Sequence, residues 1–240
     1  MRMVEPQDHD HHRDIAGGAA RAAVFGVSDG LTTNVALTLG VAGAHPAASV
    51  VRLAGLAGLI GGAFSMAAGE WVSMRAQAEL LERELAVERR ALAHAPEAES
   101  RELSAIYQRR GIDPETATAM AHQVMADPEH ALEVHAREEL GVDPNRLGSP
   151  VAAASSSFVT FALGALVPLL PWLFASNGSR GAAAVVSIIL AALGAVGVGL
   201  ALARFTGRNA IRTAARQVGI IAAAAGVTYA IGAAVGVSAQ

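Results

Sequence analysis

Five long apolar runs, 19–42, 50–74, 151–175, 181–203 and 218–237, constrain this chain more than any other feature. Each holds about 20 residues or more, enough for a helix to cross a hydrocarbon layer about 30 Å thick. Charge is partitioned to match. Of 21 acidic residues, four lie at or before Asp14, Asp29 and Glu70 stand alone inside apolar runs, and fifteen fall between Glu79 and Asp143. None follows Pro144. Charged residues make up 16% of the chain, where soluble domains carry about 25%. The expected fold is an all-α integral membrane protein of five transmembrane helices, with a small helical cytosolic domain between helices 2 and 3.

Four segments follow: a polar His/Asp-rich tail at 1–18, transmembrane helices 1 and 2 at 19–75, a soluble helical domain at 76–146, and helices 3 to 5 at 147–240. Within the soluble stretch, 76–93 extends the second helix into water and Pro96 ends it. A helix over 97–110 stops at Gly111. Asp113-Pro114-Glu115 and Asp127-Pro128-Glu129 each place an N-cap acid before a proline at the first helical position and an acid in the first turn. Gly141 supplies the last stop. The tail lacks a charged n-region followed by an apolar h-region, so the first apolar helix is expected to act as its own insertion signal.

Arginine supplies every basic side chain other than histidine, and its placement sets an orientation. Alternate compartments hold 16 of the 18 arginines, four of them (Arg204, Arg208, Arg212, Arg216) in the short link between helices 4 and 5. The positive-inside rule then puts the N-terminus and residues 76–146 in the cytosol and the C-terminus outside, in a multi-pass cell-membrane protein.

Asp29 and Glu70 carry the chemistry. An ionised acid near the centre of a spanning helix costs at least about 2.5–3.5 kcal/mol on insertion scales, which marks it for function. Helices 1 and 2 run antiparallel, so both acids fall in the cytosolic half of the membrane, where they could face one another. Met66 and Met74 stand one turn either side of Glu70, which sets thioether, carboxylate and thioether on one helix face. Thioethers add affinity for softer metals than Mg²⁺ or Ca²⁺, so such a site suits Fe²⁺ and related ions. Carboxylates also exchange metal for protons. From the residues alone, Asp29 before Gly30 equally fits an internal cap, the methionines fit packing, and Glu70 fits pairing with Arg75 or snorkelling to the interface. The Asp8-His9-Asp10-His11-His12 tail fits a metal-collecting segment or a polar leader.

Phe25-Gly26-Val27-Ser28-Asp29-Gly30-Leu31 and Gly61-Gly62-Ala63-Phe64-Ser65-Met66-Ala67-Ala68-Gly69-Glu70-Trp71-Val72-Ser73 resemble the first two helices of the vacuolar iron transporter family. The likeness continues through Glu102 to Gly111, His135 to Gly141, Ser157-Phe158 and Gly164 to Pro171, covering roughly residues 18 to 237. The resemblance implies a homodimer of five-helix protomers exchanging Fe²⁺ or Mn²⁺ for protons, with Asp29, Met66 and Glu70 on the translocation path. It also implies that glutamates of the soluble domain bind metal, and Glu88, Glu99, Glu102 and Glu139 map best. Ala91 stands where another glutamate is expected, and His135 where relatives often have methionine. Histidine ligates Fe²⁺, Mn²⁺ or Zn²⁺, so the domain is expected to hold Fe²⁺ or Zn²⁺ with altered preference or weaker affinity. Without the family, these glutamates read as a solvated helix face.

The partners expected are membrane lipid, divalent metal ions and a second copy of the chain, with no permanently bound cofactor. A metal sensor or scaffold that binds without transport is the competing reading. The chain has no HExxH, P-loop, G-x-S-x-G or dinucleotide fingerprint, so an enzyme is not expected. The fifteen acids of the soluble part, with no basic aromatic patch, argue against nucleic acid. Absence of cysteine excludes disulfides and thiolate metal sites.

Overall fold

The computed structural model describes residues 18–144 and 148–238. Every regular element among them is helical. In chain order these are α1 (Gly18–Gly43), α2 (Ala48–His94), α3 (Pro96–Arg109), α4 (Pro114–Met125), α5 (Pro128–Glu138), α6 (Pro150–Phe174), a 3-10 turn (Asn177–Ser179), α7 (Arg180–Thr206) and α8 (Ala210–Ser238). Five of them, α1, α2, α6, α7 and α8, are long and apolar enough to span a membrane. The Asp8 to His12 tail and Arg146 lie outside the described residues. Two compact units meet at Trp71/Val72 and at Ser149/Pro150.

In the membrane unit α1 is the hub. Gly26 and Gly30 bring its backbone against Thr160, Phe161 and Ala165 of α6, and Gly164 of α6 returns the contact at Val27 and Leu31. A side chain at Gly30 would run into the Phe161 carbonyl, so glycine is required for this approach. Small residues at such crossings let spanning helices pack backbone to backbone, where lipid offers no hydrophobic drive. On another face, Gly40 and Gly43 meet Thr228 and Tyr229 of α8, and Gln217 donates to the Ser28 hydroxyl at 3.0 Å. These pairings make α1 and α8 parallel. Leu31, Val35 and Leu39 close a core with Ala191, Ala195 and Ile221. A second core joins Val51, Leu169, Trp172 and Ala183.

Two polar side chains inside this unit are tied to backbone. The Asn34 amide donates to the Ala165 carbonyl at 2.6 Å. The Ser187 hydroxyl donates to the Pro168 carbonyl at 2.6 Å. Pro168 and Pro171 interrupt the hydrogen-bond ladder of α6, and side-chain donors commonly serve carbonyls near such breaks in membranes.

In the soluble unit, α3 and α4 form a hairpin over Leu103, Tyr107, Ala117 and Ala121, with Ile112, Val124 and Val134 packed against them. The caps read from the sequence are formed. Asp113 accepts from the Thr116 amide at 3.0 Å, and Asp127 from the Glu129 amide at 3.0 Å. Gly111 and Gly141 adopt φ of 91° and 67°, the left-handed conformation that ends α3 and α5 at little steric cost. Arg110 pairs with Glu138, joining the end of α3 to α5.

The apolar run at 218–237 understates α8. That helix starts at Ala210, capped by Asn209, whose side chain accepts from the Arg212 amide at 3.0 Å. The arginines at 212 and 216 therefore lie on its first turns and not in a loop.

Candidate metal centre

Four side chains of the soluble unit converge from three helices. Glu88 comes from α2, Glu99 from α3, and His135 and Glu139 from consecutive turns of α5. One ligand atom from each lies within 4.8 Å of all the others. His135 is the pivot and has no solvent exposure. Its Nδ1 lies 2.7 Å from Glu139 Oε1, 3.1 Å from Glu88 Oε1 and 4.0 Å from Glu99 Oε2. The shortest of these is a hydrogen bond. Glu88 Oε1, although close to the ring, is buried without a hydrogen bond.

The electrostatics are those of a site short of positive charge. Burial pushes the Glu88 carboxyl above the ordinary carboxylate range, and the neighbouring Glu139 charge raises it further. His135 pulls the other way, while Glu99 and Glu102 add to the rise. Glu139 is likewise raised by burial, against the lowering effect of its His135 hydrogen bond. Buried acids crowded around one imidazole favour either a proton or a cation. A divalent ion would satisfy oxygen and nitrogen donors together, a set that suits Fe²⁺, Mn²⁺ and Zn²⁺. His135 Nε2 is also buried without a hydrogen-bond partner. If Nδ1 binds an ion, Nε2 must carry the ring proton, and among the described residues no acceptor orients it.

Glu102 is exposed and outside the four-residue group, although its charge reaches both Glu88 and Glu139. It stands three residues beyond Glu99 on α3, at the rim. Ala91, one turn beyond Glu88 on α2, leaves a methyl where a fifth carboxylate is expected.

The intramembrane residues are arranged differently. Gly55 of α2 meets Thr38 of α1, Gly58 meets Leu37 and Asn34, and Gly62 meets the Phe161 ring beside which Gly30 packs. This antiparallel register puts Asp29 level with Phe64. At 1.5 Å per residue, Glu70 lies about 10 Å further toward the α1 N-terminal end. The two acids are therefore stepped along the helix pair and not opposed at one level. Met66 lies between those levels, partly buried against Ala63, Phe161 and Ala165. Asp29 is half-buried, with the exposed Thr33 hydroxyl 3.5 Å from its Oδ1. Glu70 is also half-buried. Asn34 is a further buried polar residue of α1, and its Oδ1 lacks a hydrogen bond. Its sequence signal is an amide five residues beyond Asp29, next to Thr32 and Thr33 in an apolar run.

Five apolar helices, two intramembrane acids and an acidic helical unit with a convergent His/Glu cluster define a membrane protein built to handle cations. The comparisons name the class. The VIT family model matches residues 20–233, and the chain belongs to that family. It is 38% identical to a vacuolar iron transporter of Acanthamoeba castellanii over 94% of this chain and 82% of that protein. It is 32% identical to vacuolar iron transporter 2 of Oryza sativa subsp. japonica, covering 91% of this chain and 89% of the relative. Against vacuolar iron transporter 1 of Arabidopsis thaliana the identity is 31%, over 92% and 91%. Family membership makes the chain a membrane transport protein and not an enzyme.

Proposed function

We propose that the protein exports Fe²⁺ or Mn²⁺ from the cytosol in exchange for protons, for metal homeostasis and detoxification. The observation that carries this reading is the convergence of Glu88, Glu99, His135 and Glu139 in a chain that also holds two acids within spanning helices. The cluster gathers metal, with Glu102 at its rim, and Asp29, Met66 and Glu70 pass it across the membrane. The roughly 10 Å step between Glu70 and Asp29 suits successive stations better than one cage. Carboxylates on that path release metal when they take up protons, which supplies the coupling.

In this reading the N-terminus and residues 76–146 face the cytosol and the C-terminus faces outward, as the arginine asymmetry requires. A second copy completes the path: Asp29 and Thr33 look out from the side of the protomer, and an ionisable group in a membrane needs protein or water beside it. The relatives are named for vacuolar iron transport, whereas a cell-membrane location fits a chain that expels metal.

Metal flux into proteoliposomes under a pH gradient tests the reading. Wild type should carry Fe²⁺ or Mn²⁺, and Asp29→Ala should lose at least about tenfold of the rate, about 1.4 kcal/mol of barrier. No flux from correctly oriented wild type would return the protein to the sensor reading. Full flux in Asp29→Ala would keep transport and remove Asp29 from the path.

A further inference from the structure

At the end of the membrane unit where α1 begins, the α7–α8 turn encloses a cavity of about 750 Å³ lined by Thr206, Arg208, Asn209, Arg212, Thr213 and Arg216. The turn is tightly built. Gly207 ends α7 with a φ of 65°, open to glycine at little cost. Gly199 of α7 then packs against the Ala214 backbone of α8, which fixes the angle between the helices. Arg212 and Arg216 lie one turn apart on the same face of α8, and Arg208 reaches in from the turn.

Positive-inside sorting accounts for arginines in this link, but it asks only for charge and not for a concave arrangement. Two further observations point to a ligand. Among the described residues none of these three guanidinium groups has an acidic partner, and Asp29 and Glu70 are the only acids of the membrane unit within them. Beside the arginines, Phe205 and Ile211 are 62% and 82% exposed. Apolar side chains bordering an arginine-lined hollow reproduce the polarity gradient of a phospholipid, acyl chains on one side and phosphate on the other.

We propose that this cavity is a binding site for the phosphate headgroup of an anionic phospholipid, drawn from the leaflet on the side where α1 begins. Guanidinium forks match phosphate oxygens two by two, which an ammonium cannot do. Phe205 and Ile211 lie against the acyl chains of the same lipid. The proposal does not depend on which ion is carried.

The test uses the full chain, purified, delipidated and titrated by native mass spectrometry with phosphatidylglycerol, phosphatidylcholine and inorganic phosphate. Wild type should prefer phosphatidylglycerol over phosphatidylcholine by at least about tenfold, given the size of arginine–anionic lipid attractions near a membrane surface. R208Q/R212Q/R216Q should lose that preference. Because removing three arginines also weakens the topology signal, R208K/R212K/R216K is measured beside it. The lysine variant keeps the charge and should retain only part of the preference. Lack of preference in wild type, or undiminished preference in the glutamine variant, overturns the proposal. Saturable phosphate binding with no lipid preference would assign the cavity to a soluble anion and overturn the lipid source.

Discussion

Glu88→Gln should make the metal-free soluble unit more stable and its metal response weaker. Glu88, Glu99 and Glu139 present ligand oxygens within 4.8 Å of one another, with a single imidazole among them. Two full charges at that separation repel by about 3 to 4 kcal/mol at an effective dielectric of about 20. Partial solvent access reduces this to about 1 kcal/mol. Neutralising Glu88 therefore gains about 1 kcal/mol for the empty site, or about fivefold slower amide exchange in α3 and α5. Metal at a hundred times its dissociation constant adds about 2.7 kcal/mol to the wild type, about a hundredfold further slowing. With one ligand gone and affinity at least about tenfold weaker, the same metal concentration slows the variant only about tenfold further.

The assay is hydrogen–deuterium exchange on the full chain at pH 7, with chelator and with Mn²⁺ or Zn²⁺. Equal or faster exchange in metal-free Glu88→Gln, together with an undiminished metal response, would refute the assignment of these carboxylates to one ion. Acidity supplies an internal check. The folded unit binds protons on Glu88 and Glu139 more tightly than the unfolded chain does. The contribution of these groups to stability is thus present near the ordinary carboxylate pKa and lost as pH rises through the raised folded values. Lowering the pH from 7 toward 5 should slow metal-free exchange, after correction for intrinsic rates, while weakening metal affinity.

Ala91→Glu should restore a carboxylate one turn from Glu88 and tighten Mn²⁺ or Zn²⁺ binding about tenfold by calorimetry; unchanged affinity would mean that this face of α2 does not reach the ion. Gly30→Ala forces a Cβ against the Phe161 carbonyl and should cost about 1–3 kcal/mol in unfolding by denaturing detergent. Gly61→Ala, which meets open space, should be neutral or stabilise by about 0.5–1 kcal/mol, and equal loss in both would refute the close α1–α6 crossing. Asp113→Ala removes the cap on α4 and should weaken that helix start, seen as faster amide exchange confined to the α4 region.

What the sequence made legible followed from local rules. Hydropathy over some 20 residues is enough to reveal a span, and Asp-Pro-Glu is enough to reveal a helix start, so the five membrane helices and the beginnings of α4 and α5 could be read directly. The candidate metal cluster obeys no such rule. His135 and Glu139 are four residues apart and share a helix face, but Glu88 and Glu99 reach them only through the packing of α2, α3 and α5. Without the family likeness, these glutamates have the pattern of any solvated helix. Residue type also cannot separate Glu99 from Glu102. Both suit a metal, and the three-residue step on α3 rotates one inward and the other to the rim.

The membrane site divides along the same line. Asp29 and Glu70 stand out because any ionisable group in an apolar run is costly, and that argument survives without a structure. Their relative height depends on the antiparallel register of α1 on α2, which is set by Gly55, Gly58 and Gly62 fitting against Thr38, Leu37 and Phe161. In a helix so rich in glycine, the sequence does not reveal which glycines face a neighbour and which face lipid. Gly61 meets nothing within 4 Å while Gly62 meets the Phe161 ring, although the two are adjacent. A single step in register would move Glu70 by about 1.5 Å along α1 and turn it by about 100°. The separation of the two carboxylates is therefore a property of glycine packing, and in the proposed path it is the quantity that decides whether an ion would meet them together or in turn.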